Sequence, residues 1–413
     1  MSAPGAGSAT GVGAGGAPVR HVPPALRPAL DDERLARAAW SRLAEPGDAA
    51  AAALVAEVGA ALALEAVVTG RGPQRWRTRL EETDPAADLA RARAVGGRLV
   101  VPGDEEWPEG LHDLDRPAGT ERPQGAPLAL WVRGPAHLAR AVHRAAAVVG
   151  SRAASAYGEH VTSEIAGGLA ERGVGVVSGG AHGVDAAAHR AALAVGGTTV
   201  AVLAGGVDRP YPAANSALLA RVAREGALVS EVPCGSAPTR WRFLERNRLI
   251  AALTAGTVVV EAAWRSGALS TADRAERLLR PVGAVPGPVT SAASAGCHRL
   301  LRERGAVCVT CAAEAAELLA PLGAAAPVPA PAVEVRPFDG LDPHELRVAE
   351  SLPRRGAAGT ERLAGDTGLE VAVVHAVLGR LELAGTAVRE GTGWRLGSAA
   401  LRPPGSRRPA PRG

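Results

Sequence analysis

The chain has 413 residues, 47% of them hydrophobic but only 3% aromatic, and a formal charge of +4 at neutral pH. All 46 basic residues are arginine, so neither the lysine of a Walker phosphate loop nor a Schiff-base lysine is available. This length implies about two to four domains with cores of Ala, Val and Leu, and the mild positive charge permits a polyanionic partner without demanding one.

Residues 1–28 are rich in Gly and Pro without periodicity, so a disordered tail is expected. They lack the basic start and Leu-rich stretch of a secretory signal. No apolar run reaches about 18 residues, so no membrane span is expected and the chain reads as cytoplasmic. From Asp31 the pattern turns helical, with acids at the helix start and Leu35, Ala38, Ala39 and Leu43 on one face. Further helical stretches flank Gly59, giving a small helical domain over 29–95.

Residues 96–320 form the main domain. Its first part is Pro-rich and loosely strand-like around Leu99 and Leu130. Short apolar runs then predict strands at 144–149, 174–177, 198–203, 227–230, 257–260, 282–285 and 306–309. Helical patterns fill the intervals: 155–171, 184–195, 214–225, 246–254, 268–279, 295–303 and 311–319. Strict alternation predicts an α/β doubly wound sheet of extended Rossmann-like form, and strands apolar throughout fit a sheet covered on both faces. A Pro/Ala linker at 321–340 leads to a compact unit over 341–397, helix–helix–helix followed by two short strands around Gly391, the order of a winged helix. Residues 398–413 read as a second disordered tail.

Four clusters carry the candidate chemistry. Gly150-Ser151-Arg152 follows the first parallel strand, and Ser178-Gly179-Gly180 with Gly183 follows the second. A parallel sheet brings such loops together at its carboxyl edge, where backbone N–H groups and helix N-termini favour phosphate. Arg152 adds a guanidinium whose fork matches phosphate geometry. The third cluster, Trp241 to Ile250, sets Arg242, Phe243, Arg246, Asn247 and Arg248 before an apolar helix. Arginines do not favour the positive end of a helix dipole, and with an aromatic ring they suit a groove that tracks a nucleic-acid backbone. In the fourth, Ser266, Gly267 and Ser270 sit where a strand gives way to a helix. One such loop is ordinarily a cap; four aligned at one sheet edge point to a ligand rim.

Other chemistries fit less well. Gly179-Gly180-x-x-Gly183 is not the dinucleotide fingerprint, and its strand ends in Ser178-Gly179 rather than in an acid for a ribose. Asp185 and His189 share a helix face, which reads as a structural hydrogen bond near the loop. Cys308 and Cys311, with Cys297 and His298 upstream, match no zinc spacing and read as small buried cysteines, so no metal and no cofactor is expected; with Cys234 they make no disulfide scaffold.

Taken together the clusters resemble the DNA-processing protein A (DprA/Smf) family. The likeness runs from about Val100 to Leu319 through Val149-Gly150-Ser151-Arg152, Ser178 to Asp185 with His189, Ala201 to Gly206, Tyr211-Pro212, Ser230-Glu231, Arg246 to Ile250, Glu261 to Gly267, Ala284 to Gly287 and Ser294 to Leu300. The resemblance implies a non-enzymatic protein that binds single-stranded DNA, forms a homodimer through the last Rossmann-like segment at 295–319, and helps load the RecA recombinase. It implies that Arg152 grips a phosphate, that Phe243 offers its ring to a base and that Arg248 lines the same pocket. It also implies that 29–95 is a helix-hairpin-helix/SAM-like domain and 341–397 a winged helix. The last helix of that unit, Leu369 to Ala384, carries Glu370 and Glu382 and is too acidic to read base edges, so a protein-contact or regulatory role is expected. His182 stands where the family has arginine, and no lysine exists to make the family's lysine contacts. The alternative is a nucleotide-processing hydrolase of the cytokinin-activating (LOG) type, but that family's Pro-Gly-Gly-x-Gly-Thr loop is missing after Glu261.

Overall fold

The computed structural model describes residues 22–116, 125–320, 338 and 340–397. Most of the tails and linker expected from composition lie outside these residues. The chain divides into two compact units, Met1–Val328 and Pro329–Gly413.

In the first unit a sheet forms from β1 (Gly97–Val100), β2 (Leu130–Arg133), β3 (Ala145–Val149), β4 (Gly175–Ser178), β5 (Thr199–Leu203), β6 (Ala227–Ser230), β7 (Gly256–Val259), β8 (Val282–Ala284) and β9 (Val307–Cys308). Their order is β1-β2-β6-β5-β4-β3-β7-β8-β9. From β3 to β9 the pairings are parallel, and β1–β2 and β2–β6 are antiparallel. This is the extended Rossmann-like sheet that the alternation predicts. The chain winds outward from β3 to β6, then crosses back to place β7 on the other side of β3. Strand order therefore reverses between β3 and β7, where doubly wound sheets open a crevice at their carboxyl ends.

Strand periodicity sorts the core into two layers. Ala145, Ala147 and Val149 of β3 face one side, with Leu138, Leu249, Ile250, Ala272 and Leu300 from the helices Leu138–His143, Arg240–Ala252, Gly267–Arg277 and Ala295–Glu303. Ala146 and Val148 face the other, with Ile165, Leu169, Ala188 and Ala315 from the helices Ala156–Glu171, Val184–Ala194 and Ala312–Leu318.

The N-terminal helices cover the antiparallel end of the sheet. Trp131 Nε1 of β2 donates to Ser41 Oγ at 3.1 Å, and Arg42 pairs with the buried Asp88. The disorder expected up to residue 28 is corrected: Pro24–Leu30 is a 3-10 helix whose Leu26 and Ala29 are fully buried. Proline at its first turn presets the backbone, and two apolar side chains suffice to dock so short a piece against Trp40 and Leu64. A second correction concerns the third cluster. Its helix starts at Arg240, not at 246, because the Thr239 side chain caps it by accepting from the Arg242 amide. The arginines therefore radiate from a helix instead of preceding one. No single helix among the described residues is long and apolar enough to cross a membrane.

The second unit contains helices Pro343–Ser351, Thr360–Thr367 and Val371–Leu383, then the antiparallel pair β10 (Ala387–Glu390) and β11 (Gly393–Leu396). Asp342 and Glu345 form a reciprocal cap on the first helix, and Val348, Leu363, Leu378 and Trp394 share its core.

Candidate nucleic-acid interface

At the switch point the carboxyl edge of the sheet opens into a cavity of about 820 Å³. Gly150, Ser151 and Arg152 from the β3 loop, Asp185 from the helix after β4, Tyr211, the start of the Arg240–Ala252 helix, and Ser266, Gly267 and Thr271 after β7 line it. Of the expected site residues, the structure brings Gly150, Ser151, Arg152, Phe243, Asn247, Ser266 and Gly267 to this wall.

The other expected residues serve the frame. Ser178 is buried and its Oγ donates to the Val148 carbonyl at 2.7 Å, tying β4 to β3. A Cβ on Gly179 would stand 2.2 Å from the Arg246 guanidinium, so that glycine is there to admit the cation. Gly180 packs on Leu219, and its carbonyl accepts from Asn215. Gly183 has φ +70° and lies where a Cβ would meet the Ser151 carbonyl at 2.2 Å, so it lets the two glycine loops touch. Ser270 is off the wall because Gly267 and Thr271, four residues apart, share the helix face turned to the cavity. Arg242 reaches the N-terminal helices and pairs with Glu45 at 2.9 Å. Burial pushes the Glu45 carboxyl up, but Arg242 and Arg79 outweigh it and hold the group below its usual range.

Arg248 is the clearest correction. Its side chain is fully buried, donates to both Glu231 oxygens at 2.7 and 2.6 Å, and donates to the Gly125 carbonyl at 3.0 Å. It braces the fold and does not face the cavity. On a helix, Arg248 lies roughly 240° around the axis from Arg242, so adjacency in sequence does not give a common face.

Arg246, weighed above only as part of its cluster, lies under the cavity. It is 6% exposed, donates to the Gly179 carbonyl at 2.7 Å and to that of Val202, and its Nε has no partner among the described residues. Burial lowers its pKa to about 10, which leaves it charged at neutral pH; Asp185 opposes the shift. Burial in turn raises the pKa of the Asp185 carboxyl, against Arg246 and the Ala181 amide. No hydrogen bond joins Asp185 to His189, the contact expected from their spacing. The His189 ring meets Thr199 Oγ1 at 2.7 Å, and burial drives its pKa to about 3.

Above this floor stands an aromatic shelf. Phe243 and Tyr211 lie 5.7 Å apart at a tilt of 53°, and the Arg152 guanidinium sits 5.2 Å from the Phe243 centroid. Tyr211 is 53% exposed. The charges around it divide sharply. Arg242, Arg248 and Arg274 pair with Glu45, Glu231 and Glu245. Arg152, Arg240 and Arg265 are exposed and form no ion pair among the described residues. Tyr211, Arg240 and Thr271 were not among the expected site residues, although Tyr211 lies in the family likeness and Thr271 ends the fourth cluster; helical periodicity counted from the Thr239 and Ser266 caps would have found the last two.

Glu261, at the end of β7, is 2% exposed and accepts from the Ser155 amide at 2.9 Å and the Ser155 hydroxyl at 2.6 Å, which pins the start of the helix Ala156–Glu171. Cys297 is buried, which pushes its thiol up to about 12. Cys308 and Cys311, expected to be buried, are exposed: Cys308 lies in the short edge strand β9 and Cys311 precedes the helix Ala312–Leu318. Among the described residues no group of three His, Cys, Asp or Glu side chains is placed to hold a metal.

Fold and cavity define a Rossmann-like protein with an arginine-rich rim at its strand-order reversal. The chain belongs to the DNA recombination-mediator protein A family, whose sequence profile matches residues 98–320. It is 50% identical over 376 residues to the putative DNA processing protein DprA of Mycobacterium tuberculosis, which spans 89% of this chain and 95% of that protein. It is 41% identical over 214 residues to protein Smf of Escherichia coli, spanning 51% of this chain and 54% of that one. The X-ray structure of DNA processing protein A from Streptococcus pneumoniae superposes with a TM-score of 0.57 at 31% identity, covering 68% of this chain and 95% of that one.

Proposed function

We propose that this chain is a DNA-processing protein that binds single-stranded DNA without sequence preference at the β3/β7 rim, protects it, and helps load the RecA recombinase onto it in the cytoplasm. One observation carries the reading. Arg152 and Arg240 line the cavity beside a shelf formed by exposed Tyr211 and half-buried Phe243, Arg265 adjoins Ser266 of the cavity wall in sequence, and none of the three arginines has a carboxylate partner among the described residues. Unpaired guanidinium groups take phosphates, and aromatic faces take unstacked bases, each worth about 1–3 kcal/mol. A duplex hides its base faces and cannot use the shelf. Stacking reads no base edge, so sequence independence follows.

The remaining expected DNA contacts are Gly150, Ser151, Asn247, Ser266 and Gly267, with Arg246 beneath them. The hand-over to RecA rests on the family's description as a recombination mediator. The edge strand β9, with Val307 half exposed, supports a homodimer face at 295–319. The 29–95 helices fit the SAM-like reading, and three helices followed by a hairpin fit a winged helix. In that unit Arg380 is held by Glu345 and Asp342, which leaves the helix acids uncompensated and favours protein contact over base reading. No catalytic step and no cofactor enters the proposal, since Glu261 is fully engaged in structure.

The test is a fluorescence-anisotropy titration of single- and double-stranded oligonucleotides, with and without RecA and ATP. Tight single-strand binding and faster RecA filament assembly are expected. Equal affinity for both DNA forms, or no effect on RecA, sinks the corresponding half of the reading.

A further inference from the structure

The loop from Glu261 to Ser266 carries an aromatic group that the cavity does not use. Both its ends are fixed. Glu261 is locked to Ser155, and Ser266 caps the helix Gly267–Arg277 while lining the cavity. Between them Trp264 is 55% exposed and Arg265 is exposed with no ion pair among the described residues.

The helix Ala295–Glu303 presses its first turn onto this loop. The Gly296 amide donates to the Ala262 carbonyl at 2.7 Å, and a Cβ on Gly296 would meet the carbonyls of Ala262 and Ala263 at 2.7 and 2.8 Å. Only glycine permits so close an approach. The docking sets Arg299, one turn further along, over the Trp264 ring at 5.1 Å, and Glu303 holds Arg299 from behind at 3.2 Å. The indole is thus propped by a cation while more than half of its surface stays open to solvent. A single exposed apolar residue is ordinary. A ring oriented by a guanidinium, next to an unpaired arginine and two residues from the cavity wall, is a prepared surface.

We propose that Trp264, held by Arg299, is a second stacking platform for a base of the same strand, outside the cavity, with Arg265 meeting the phosphate between. The inference rests on the reading of the cavity as a single-strand site. Only Arg265 separates Trp264 from Ser266, whose Cα atoms are at most about 7 Å apart, which a strand leaving the cavity spans without a gap. The occupant is a nucleobase because a cation-propped indole presents a flat π-face, and the adjacent free charge suits a phosphodiester.

The experiment uses the full chain and fluorescently labelled oligothymidylates of increasing length. Wild type, Phe243→Ala, Trp264→Ala and Trp264→Phe are compared, with thermal melting as the folding control; Trp264 is exposed, so its variants are expected to melt as wild type does. Phe243→Ala should lose affinity at every length. Trp264→Ala should bind the shortest oligomers normally and the longer ones about 5- to 150-fold more weakly, with partial recovery in Trp264→Phe. Trp264→Ala binding like wild type at every length overturns the platform and leaves the cavity reading intact. Wild type binding no oligomer overturns the cavity reading itself. A change of oligomeric state in Trp264→Ala, by light scattering, with affinity unchanged at every length, assigns the ring to a subunit contact and also overturns the platform.

Discussion

Arg152 and Arg248 look equivalent in the sequence, and the structure places them in opposite environments, one exposed and one buried. Arg152 is exposed beside Phe243 with no carboxylate partner, so Arg152→Ala removes little from the fold. A hydrogen bond to a charged group is worth about 1.5–3 kcal/mol, so losing one phosphate contact should weaken single-strand binding roughly 10- to 150-fold. Each phosphate neutralised on a single strand contributes a slope of about −0.7 in log K against log salt, so the variant's slope should be shallower by about 0.7. Arg248→Ala does the reverse. It removes the partner of Glu231, whose side chain is 12% exposed, from a pair with a fully buried guanidinium. Breaking such a pair costs about 3–5 kcal/mol, which for a cooperative unit of about 300 residues lowers Tm by roughly 5–8 °C. Its folded fraction should keep wild-type affinity and salt slope. Anisotropy titrations at several salt concentrations, with thermal melting in parallel, separate the two. Arg152→Ala keeping both affinity and slope, or Arg248→Ala melting like wild type while losing DNA, would overturn this division between the two arginines.

Gly183→Ala puts a Cβ against the Ser151 carbonyl at a φ of +70°, so the β3 loop must move; stability and single-strand affinity should fall together, and a wild-type titration with unchanged Tm would contradict the packing argument. The Arg98 guanidinium, and then the Leu138 amide, hold the Glu106 carboxyl below its ordinary value of 4.5. A lowered folded-state pKa means that the contribution is complete above the unfolded value and is lost as pH falls through the folded one. The stability gap between wild type and Glu106→Gln in urea should therefore be constant above about pH 5.5 and close in more acid solution; a gap that persists there counts against the pair. Removing residues 338–413 should leave single-strand affinity within a few-fold by anisotropy, because that unit's last helix carries Glu370 and Glu382 and its Arg380 is already neutralised by Asp342 and Glu345. A large loss would place part of the DNA site there.

The sheet was legible because its strands are short, apolar on both faces and separated by helical patterns; β6 falls on 227–230, as read from the sequence. That the loops after β3 and β7 share one edge was legible for the same reason, since alternation with helices makes the strands parallel and sets their carboxyl ends together; that β3 and β7 are neighbours was not. The fate of each arginine was not. Arg242 is neutralised by a glutamate 197 residues away, and Arg248 by one 17 residues away across a turn. No local pattern carries such information. The start of the helix at Arg240 was missed because its first two turns lack an apolar stripe, although Thr239 is an ordinary cap. The 3-10 helix at Pro24–Leu30 was hidden by composition, because Pro and Ala read as tail until Leu26 is seen against Trp40.

With 46 arginines against 42 acids, net charge says almost nothing about where a polyanion could bind. What matters is which guanidinium groups the acids leave over. Around the cavity the acids go to arginines that brace the frame: Glu45 to Arg242, Glu231 to Arg248, Glu245 to Arg274. The arginines on the rim have none. Beneath them Arg246 is bonded to carbonyls and not to a carboxylate, and a carbonyl takes a hydrogen bond without cancelling the charge. Among the described residues Asp185 is the one acid lining the cavity, and burial works against its ionised form. The positive potential therefore arises from a local shortage of acid, not from an excess of base. An arginine-only chain suits this arrangement, since the planar fork binds a backbone carbonyl, a carboxylate or a phosphate by the same geometry, and the neighbours alone decide which of the three it meets.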